Sequence, residues 1–321
     1  MINNNYTTSK KLIKNIVNFK KVKYYSFINK LFSKKGTFYG WGRKKSGLKA
    51  IHLAKRHSTS FVLLEDGFIR SISLGVEGSP SFSLVEDDIG IYYDATTPSK
   101  LENIFNDYDF RLDKKLMQDA KKAIMLIKKN NISKYNNAPN IKDNFFQNSK
   151  KERVLVIAQT AGDSSLKYGM LEKFSTDEML SEAIKDNPNA DIYIKIHPDV
   201  LTGKKKSDID IKNLNQKCII IAENVNPLSL LHYFKKVYTK TSQMGFEALL
   251  VGCECVCFGM PFYAGWGLTI DKSVCHRRKR ILTIEEIFAG AYILYTRYYN
   301  PYKKRDCDIF EVIDEIVFQI K

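Results

Sequence analysis

Glu65 and Asp66 stand side by side ahead of Gly67, and Asp163 stands in the polar run 159–165, which begins with Gln159. Carboxylates from two separate loops are the equipment of glycosyl chemistry: one moves a proton while the other attacks or stabilises an oxocarbenium-like centre. Either loop alone also reads as a turn former or helix cap. Lys195 and His197 alternate, so in a strand they share a face, and Pro198 ends the ladder so that the imidazole projects beyond it. A cation and a neutral donor so placed suit a phosphate. Thr241 and Ser242 precede a helical pattern in which Ser242 takes the N-cap and Gln243, Met244 and Gly245 offer backbone N–H groups to an anion. Glu247, one turn in, suits the two hydroxyls of a ribose, while a solvated surface glutamate is the plainer reading.

Each of these residues follows a short apolar run. A strand over 38–41 ends in a glycine turn, the helical segment SGLKAIHLAKRH follows, and the strand 61–64 leads to Glu65. Strand 154–158 leads to Gln159, 191–195 to His197, and 237–239 to Thr241. The run CECVC at 253–257 leads to the loop GMPFYAGWGLT, which holds Gly265 and Trp266. Helical patterns alternate with these strands, which predicts an α/β chain with parallel sheets and right-handed crossovers, arranged as two Rossmann-like domains facing a cleft. In such sheets ligands lie beyond the carboxyl ends of the strands, where the polar residues above are found. The GMPFYAGWGLT loop is too irregular for helix or strand and reads as a binding surface or as a packed Ω-loop.

The length of 321 residues accommodates two domains of ordinary size. The expected division is a basic N-terminal extension (1–35), an N-terminal Rossmann-like domain (36–135), a polar linker (136–152), a C-terminal Rossmann-like domain (153–300), and a helix (301–321) packing back on the first domain. A formal charge of +16 suits phosphates or an anionic membrane surface, and equally a lysine-rich proteome. No apolar run of 18 residues is present, so neither spanning nor secretion is expected, and the location expected is cytoplasmic. The amphipathic, lysine-rich start suits peripheral contact with an anionic inner membrane. Six cysteines lack the spacing of a zinc site and read as reduced thiols, three of them on one face of the strand at 253–257. No nucleic-acid-binding motif is visible, which leaves a polyanion-binding module as an alternative without specific support.

The stretches LLEDGFIRSISLG, QTAGDSSLKYG, IKIHPD, TKTSQMGFEALLVG, FGMPFYAGWGLT and RRKRILTIEEIFAGAYILYTRYYNP occur in this order over most of residues 36–301. Together they resemble the bacterial capsule polysaccharide synthesis family of retaining β-Kdo transferases of the KpsC type. The resemblance implies a GT-B-like glycosyltransferase that uses CMP-Kdo and a Kdo-terminated glycan or lipid-linked acceptor, with no metal and no other cofactor. It implies Asp163 as nucleophile and Asp66, aided by Glu65, as acid/base. It implies a cradle for the CMP moiety made of Lys195, His197, Pro198, Thr241, Ser242, Gln243, Gly245 and Glu247, with Gln159, Gly265 and Trp266 nearby. One module in place of the family's tandem pair implies one kind of linkage. A sialyltransferase or another CMP-ulosonate transferase would keep the same nucleotide cradle.

Overall fold

The computed structural model describes residues 36–142, 144–146, 149–170, 174–196, 200, 209, 214 and 218–320. The basic extension 1–35 lies outside the described residues, as do His197 and Pro198. The chain divides into two compact units: residues 36–92, 97–137 and 288–320 form the first, and residues 93–96 and 138–287 the second. No helix among the described residues is long and apolar enough to cross a membrane.

In the first unit β1 (Phe38–Trp41) and β2 (Phe61–Asp66) run parallel, joined by α1 (Lys45–His57) as a crossover. Beyond β2 the expected parallel pattern gives way. β3 (Ser83–Asp87) is antiparallel to β2, because the connection over 67–82 carries no α-helix that could return the chain to the starting edge. Two helices follow, α2 (Lys100–Asp107), capped by Ser99 on the Glu102 N–H, and α3 (Lys114–Asn130), capped by Asp113.

The second unit is a parallel sheet throughout. Its strands are β4 (Arg153–Ile157), β5 (Asp191–Lys195), β6 (Ile219–Ile221), β7 (Lys236–Thr239), β8 (Glu254–Cys257) and β9 (Ile270–Asp271), in the order β6-β5-β4-β7-β8-β9. Val154 and Val156 pack into the core on one face of β4, and Leu155 and Ile157 into the core on the other. A strand buried on both faces reads as an unbroken apolar run, as VLVIA does.

The boundary after the second unit lies earlier than the expected 300. Strand β10 (Thr296–Asn300) pairs antiparallel with β3, and β11 (Arg305–Cys307) pairs with β10, so the chain has rejoined the first sheet by then. The final helix (Ile309–Ile320) packs on α3 and β10 of that unit.

The expected linker is folded onto its neighbours. The Asn226 N–H donates to the Pro139 carbonyl (2.8 Å), and the Ile141 N–H to Ser229 Oγ (3.0 Å). Phe146 is buried among Tyr193, Tyr233 and Phe234, with the Arg153 guanidinium 4.8 Å above its ring. Phe146→Ala should therefore cost about 3–5 kcal/mol, the range of a large aromatic deleted from a core, read as a lower urea midpoint. A mere tether would show no change.

Candidate active site

Glu65 and Asp66 end β2, where its neighbour β1 ends at Trp41. Trp41 is level with Leu64 across the strands, and its indole N–H donates to Glu65 Oε1 (2.7 Å), as does the Asp66 backbone N–H (3.2 Å). Asp66 Oδ2 is held by Arg70 Nε at 3.0 Å. Arg70 also donates to Ser71 Oγ (2.8 Å) and lies 6.0 Å over the Tyr135 ring. Burial, with the charge of Asp66 adding to it, pushes the Glu65 carboxyl up to about 7, against Lys44, Lys134 and the Asp66 N–H. Burial opposes the charge on Lys134, but Tyr92, Tyr135, Asp66 and Glu65 outweigh it and hold the ammonium above the ordinary lysine range. The pair thus divides: Asp66 is fixed in an ion pair, and Glu65 is the carboxyl poised to exchange a proton near neutrality.

In the second unit, β4 is followed by β5 on one side while β7 lies on the other, so the topology reverses between β4 and β7. The loops after these two strands are the expected ligand crevice of a parallel sheet, and side chains lock them together. Gln159 Oε1 accepts from the Thr241 N–H (2.8 Å), Gln159 Nε2 donates to Thr241 Oγ1 (3.1 Å), and Ser165 Oγ shares a hydrogen bond with Thr241 Oγ1 (2.9 Å). Asp163 is exposed and caps the short helix Ser164–Tyr168, one oxygen accepting from the Ser165 N–H (2.9 Å). The cap fixes the carboxylate without covering it.

The helix Gln243–Val251 begins as expected, with Ser242 as its N-cap. Its donors are less open than the sequence suggests. Ser242 Oγ takes the Met244 N–H (3.2 Å), and the Ser242 carbonyl takes the Gly245 N–H (3.0 Å) and the Tyr263 hydroxyl (2.6 Å). Gly245 is needed for close packing, since a Cβ there would overlap the Tyr263 hydroxyl. Glu247 is 3% exposed, a core residue of the helix and not a solvated one. Lys195 commits one N–H to the Glu223 carbonyl (2.7 Å), and burial lowers its pKa while Glu223 opposes the shift.

Trp266 is packed inside its own loop, and Gly265 is bonded to Asp271. Trp266 has no exposed surface, and its indole N–H donates to the Phe262 carbonyl (2.9 Å). Gly265 adopts φ +80° and donates to Asp271 Oδ2 (2.8 Å), while Arg278 ties the loop through the Pro261 and Ala264 carbonyls (2.5 Å each). The loop is a packed Ω-loop that props Tyr263 beneath Ser242. All six cysteines are free, with Cys255 and Cys257 sulfurs 3.8 Å apart on one strand face. Among the described residues no group of His, Cys, Asp and Glu is arranged to hold a metal ion.

A family model described as "Capsule polysaccharide biosynthesis protein" matches residues 37–298. The chain belongs to the capsule polysaccharide biosynthesis family. The capsule polysaccharide modification protein LipA of Neisseria meningitidis serogroup B is 43% identical over 283 residues, covering 86% of this chain and 40% of LipA. The lipopolysaccharide-processing protein LpsZ of Rhizobium meliloti is 35% identical over 256 residues, 78% of this chain and 58% of LpsZ. The chain thus spans less than two thirds of the length of the curated relatives it matches. Two solved structures of Thermosulfurimonas dismutans KpsC are similar as well. Its β-Kdo 2,4 transferase is 45% identical, with TM-score 0.81 over 87% of this chain and 86% of that one. Its β-Kdo 2,7 transferase is 32% identical, with TM-score 0.78 over 98% and 97%. The mixed α/β fold is the GT-B-like one of these KpsC structures.

In this capsule family chain the carboxylates are divided between units: Glu65 and Asp66 in the first, Asp163 in the second. Sequence reasoning missed Trp41, Lys44, Arg70, Lys134 and Ser165. Trp41 and Arg70 stand in the FYGWG and EDGFIR segments and were within reach, whereas Lys134 sits in an Asn/Lys-rich run and carries no signal of its own. Because the folded state raises Glu65 from an ordinary 4.5 to about 7, it binds the proton more tightly than the unfolded chain, and stability falls as pH rises across that window. Glu65→Gln should therefore raise the melting midpoint by roughly 2–5 °C at about pH 8 and change it little at about pH 4, measured by scanning calorimetry.

Proposed function

We propose that this chain is a retaining β-Kdo glycosyltransferase that moves Kdo from CMP-Kdo to a Kdo-containing glycan or glycolipid acceptor in capsule polysaccharide biosynthesis, by double displacement. Membership of the capsule family and likeness to two Kdo transferases support the class of reaction. The observation that carries the mechanism is the carboxyl of Glu65, pushed to about 7 at the end of a sheet strand.

In the first step the free oxygen of Asp163 attacks the anomeric carbon and CMP departs, leaving the sugar on the carboxylate. In the second, Glu65 takes the proton of an acceptor hydroxyl, the oxygen attacks the same carbon, and the bond to Asp163 breaks. Two inversions give net retention. Kdo has no hydroxyl beside its anomeric carbon to act as internal nucleophile, so the protein must provide one. Sequence reasoning gave the proton to Asp66; its ion pair with Arg70 makes it the poorer carrier, and we assign the role to Glu65 with Asp66 as the charge that raises it. The CMP phosphate is assigned to Thr241 and Ser242 after β7, together with His197, which follows β5 in the sequence and lies outside the described residues. In the donor Kdo is joined to CMP through a single phosphate, which leaves as CMP, so a metal is not required and turnover should persist in EDTA.

Purified protein given CMP-Kdo and a Kdo-terminated acceptor should release CMP and form a product larger by one Kdo; no CMP and no product would refute the reading. Identity favours the 2,4 module over the 2,7 module, and NMR of the product reads the linkage. Glu65→Gln should slow turnover by about 10²- to 10⁴-fold and let the sugar adduct accumulate, mapped to Asp163 by intact-protein and peptide mass spectrometry. Asp163→Asn should show no adduct. Label on another residue reassigns the nucleophile.

A further inference from the structure

We propose that Trp41 is a positioning residue for Glu65: its indole N–H fixes which carboxyl oxygen exchanges the proton. This rests on the transfer reading above and gives the glycine turn FYGWG its purpose.

Trp41 is held through both ends of its backbone. Its N–H donates to Ser46 Oγ (3.1 Å), its carbonyl accepts the Lys44 N–H (3.0 Å), and the next residue, Gly42, donates to the Leu64 carbonyl (2.9 Å). Gly40 and Gly47 let the end of β1 and the start of α1 touch, since a Cβ on Gly40 would overlap Gly47 and a Cβ on Gly47 would overlap the Gly42 carbonyl. The Trp41 ring lies against the buried cluster of Leu64, Leu84 and Tyr299. A residue anchored in this way directs its indole N–H to one place, Glu65 Oε1 at 2.7 Å.

The carboxyl that it meets is asymmetric. Oε1 accepts two N–H groups, from Trp41 (2.7 Å) and from the Asp66 backbone (3.2 Å), whereas Oε2 holds no hydrogen bond among the described residues. A carbonyl oxygen accepts better than a carboxyl hydroxyl, so two N–H groups on Oε1 put the proton on Oε2. Glu65 is half-buried, and the oxygen without a protein partner is the one available to an acceptor hydroxyl. In the transfer step the hydroxyl proton passes to Oε2, the acceptor oxygen bonds to the anomeric carbon with the released electron pair, and the bond to Asp163 breaks. The Trp41 N–H stays on Oε1 and stabilises the carboxylate that takes the proton. The Asp66 N–H is more distant and belongs to the same strand as Glu65, so it follows the main chain; Trp41 reaches in from the neighbouring strand and sets the rotation of the carboxyl group. Without the indole N–H the group binds its proton more tightly. The other charged neighbours of Glu65 are Asp66 on its own strand, Lys44 after β1 and Lys134 after α3, and the residue level with it on β3 is the apolar Val85.

The first measurement needs no reaction. The chain has two tryptophans, so a proton–nitrogen spectrum of the full chain holds two indole N–H signals. The Trp41 signal should move with pH around the value of about 7 at which Glu65 titrates, and should hold still in Glu65→Gln. The Trp266 signal, whose N–H is on the Phe262 carbonyl, should not move in either protein. The second measurement is the pH dependence of transfer from CMP-Kdo to a Kdo glycoside. Trp41→Phe should raise the midpoint of the acid limb of kcat by about one pH unit, as loss of one hydrogen bond to a charged group does. It should also lower the alkaline plateau by about 10- to 100-fold, with both KM values within about twofold of wild type. Benzothienylalanine in place of Trp41 keeps the ring and lacks the N–H, and should act as Trp41→Phe does; fluorotryptophan keeps the N–H and should act as wild type. If Trp41→Phe melts early, the benzothienylalanine protein decides.

A Trp41 signal that ignores pH, or that titrates unchanged in Glu65→Gln, overturns the proposal. So does an acid limb that stays in place in both proteins lacking the N–H, which would make the ring packing alone. A chain that transfers nothing but shows the Glu65-dependent titration of Trp41 loses the reaction and keeps Trp41 as the group that orients Glu65. A chain that transfers Kdo with an unmoved limb does the reverse.

Discussion

A carboxyl drawn out of water beside a second carboxylate keeps its proton until cations face it, and the first unit is organised around that balance. Glu65 is raised by burial and by Asp66 and restrained by Lys44 and Lys134. The groups around the acid pair arrive on different elements. Trp41 and Lys44 come from β1 and the turn after it, Arg70 from the loop after β2, and Lys134 from the segment after α3. The proton affinity of one side chain thus depends on the pairing of β1 with β2 and of residues 134–136 with 70–72. Shifting any of these would change the surroundings that set the proton affinity of the acid.

The second unit meets a different constraint. Six parallel strands bring their carboxyl ends to one edge, and the reversal between β4 and β7 opens a crevice there without a designed gap. A crevice alone is not a site, because the loops bounding it are free to spread. Gln159, Ser165 and Thr241 close that freedom with three hydrogen bonds, and Tyr263 underpins the next residue, Ser242. The segment GMPFYAGWGLT therefore acts by support: its aromatic residues are buried so that a neighbouring helix start is held still.

The parallel unit was legible in the chain because its strands are buried on both faces and so are written as unbroken apolar runs such as VLVIA and IYI. The polar residues after them were legible for the same reason. The first unit was less so, since β3 finds its partner β10 through a pairing such as Val85 with Thr296, and no local pattern records so distant a neighbour. Trp266 misled because aromatics in an irregular glycine-rich loop look exposed until their packing partners are known. Lys134 was invisible because an Asn/Lys-rich segment that zips onto a loop has the composition of one that is solvated. The choice between Glu65 and Asp66 turned on Arg70, four residues away, whose side chain could have reached either.

The first unit is interrupted in sequence: residues 138–287 leave it and return. On the ribosome β3 is made long before β10, so its outer edge stays unpaired while the whole second unit emerges. Among the described residues the second unit has all its strands between Arg153 and Asp271 and can close its own sheet first. The unit that bears the acid pair is thus the last to be completed, and its assembly waits on a segment that carries none of the proposed chemistry. Loss of the chain beyond residue 288 would leave every proposed catalytic residue in place and still deprive the first sheet of β10, β11 and the closing helix.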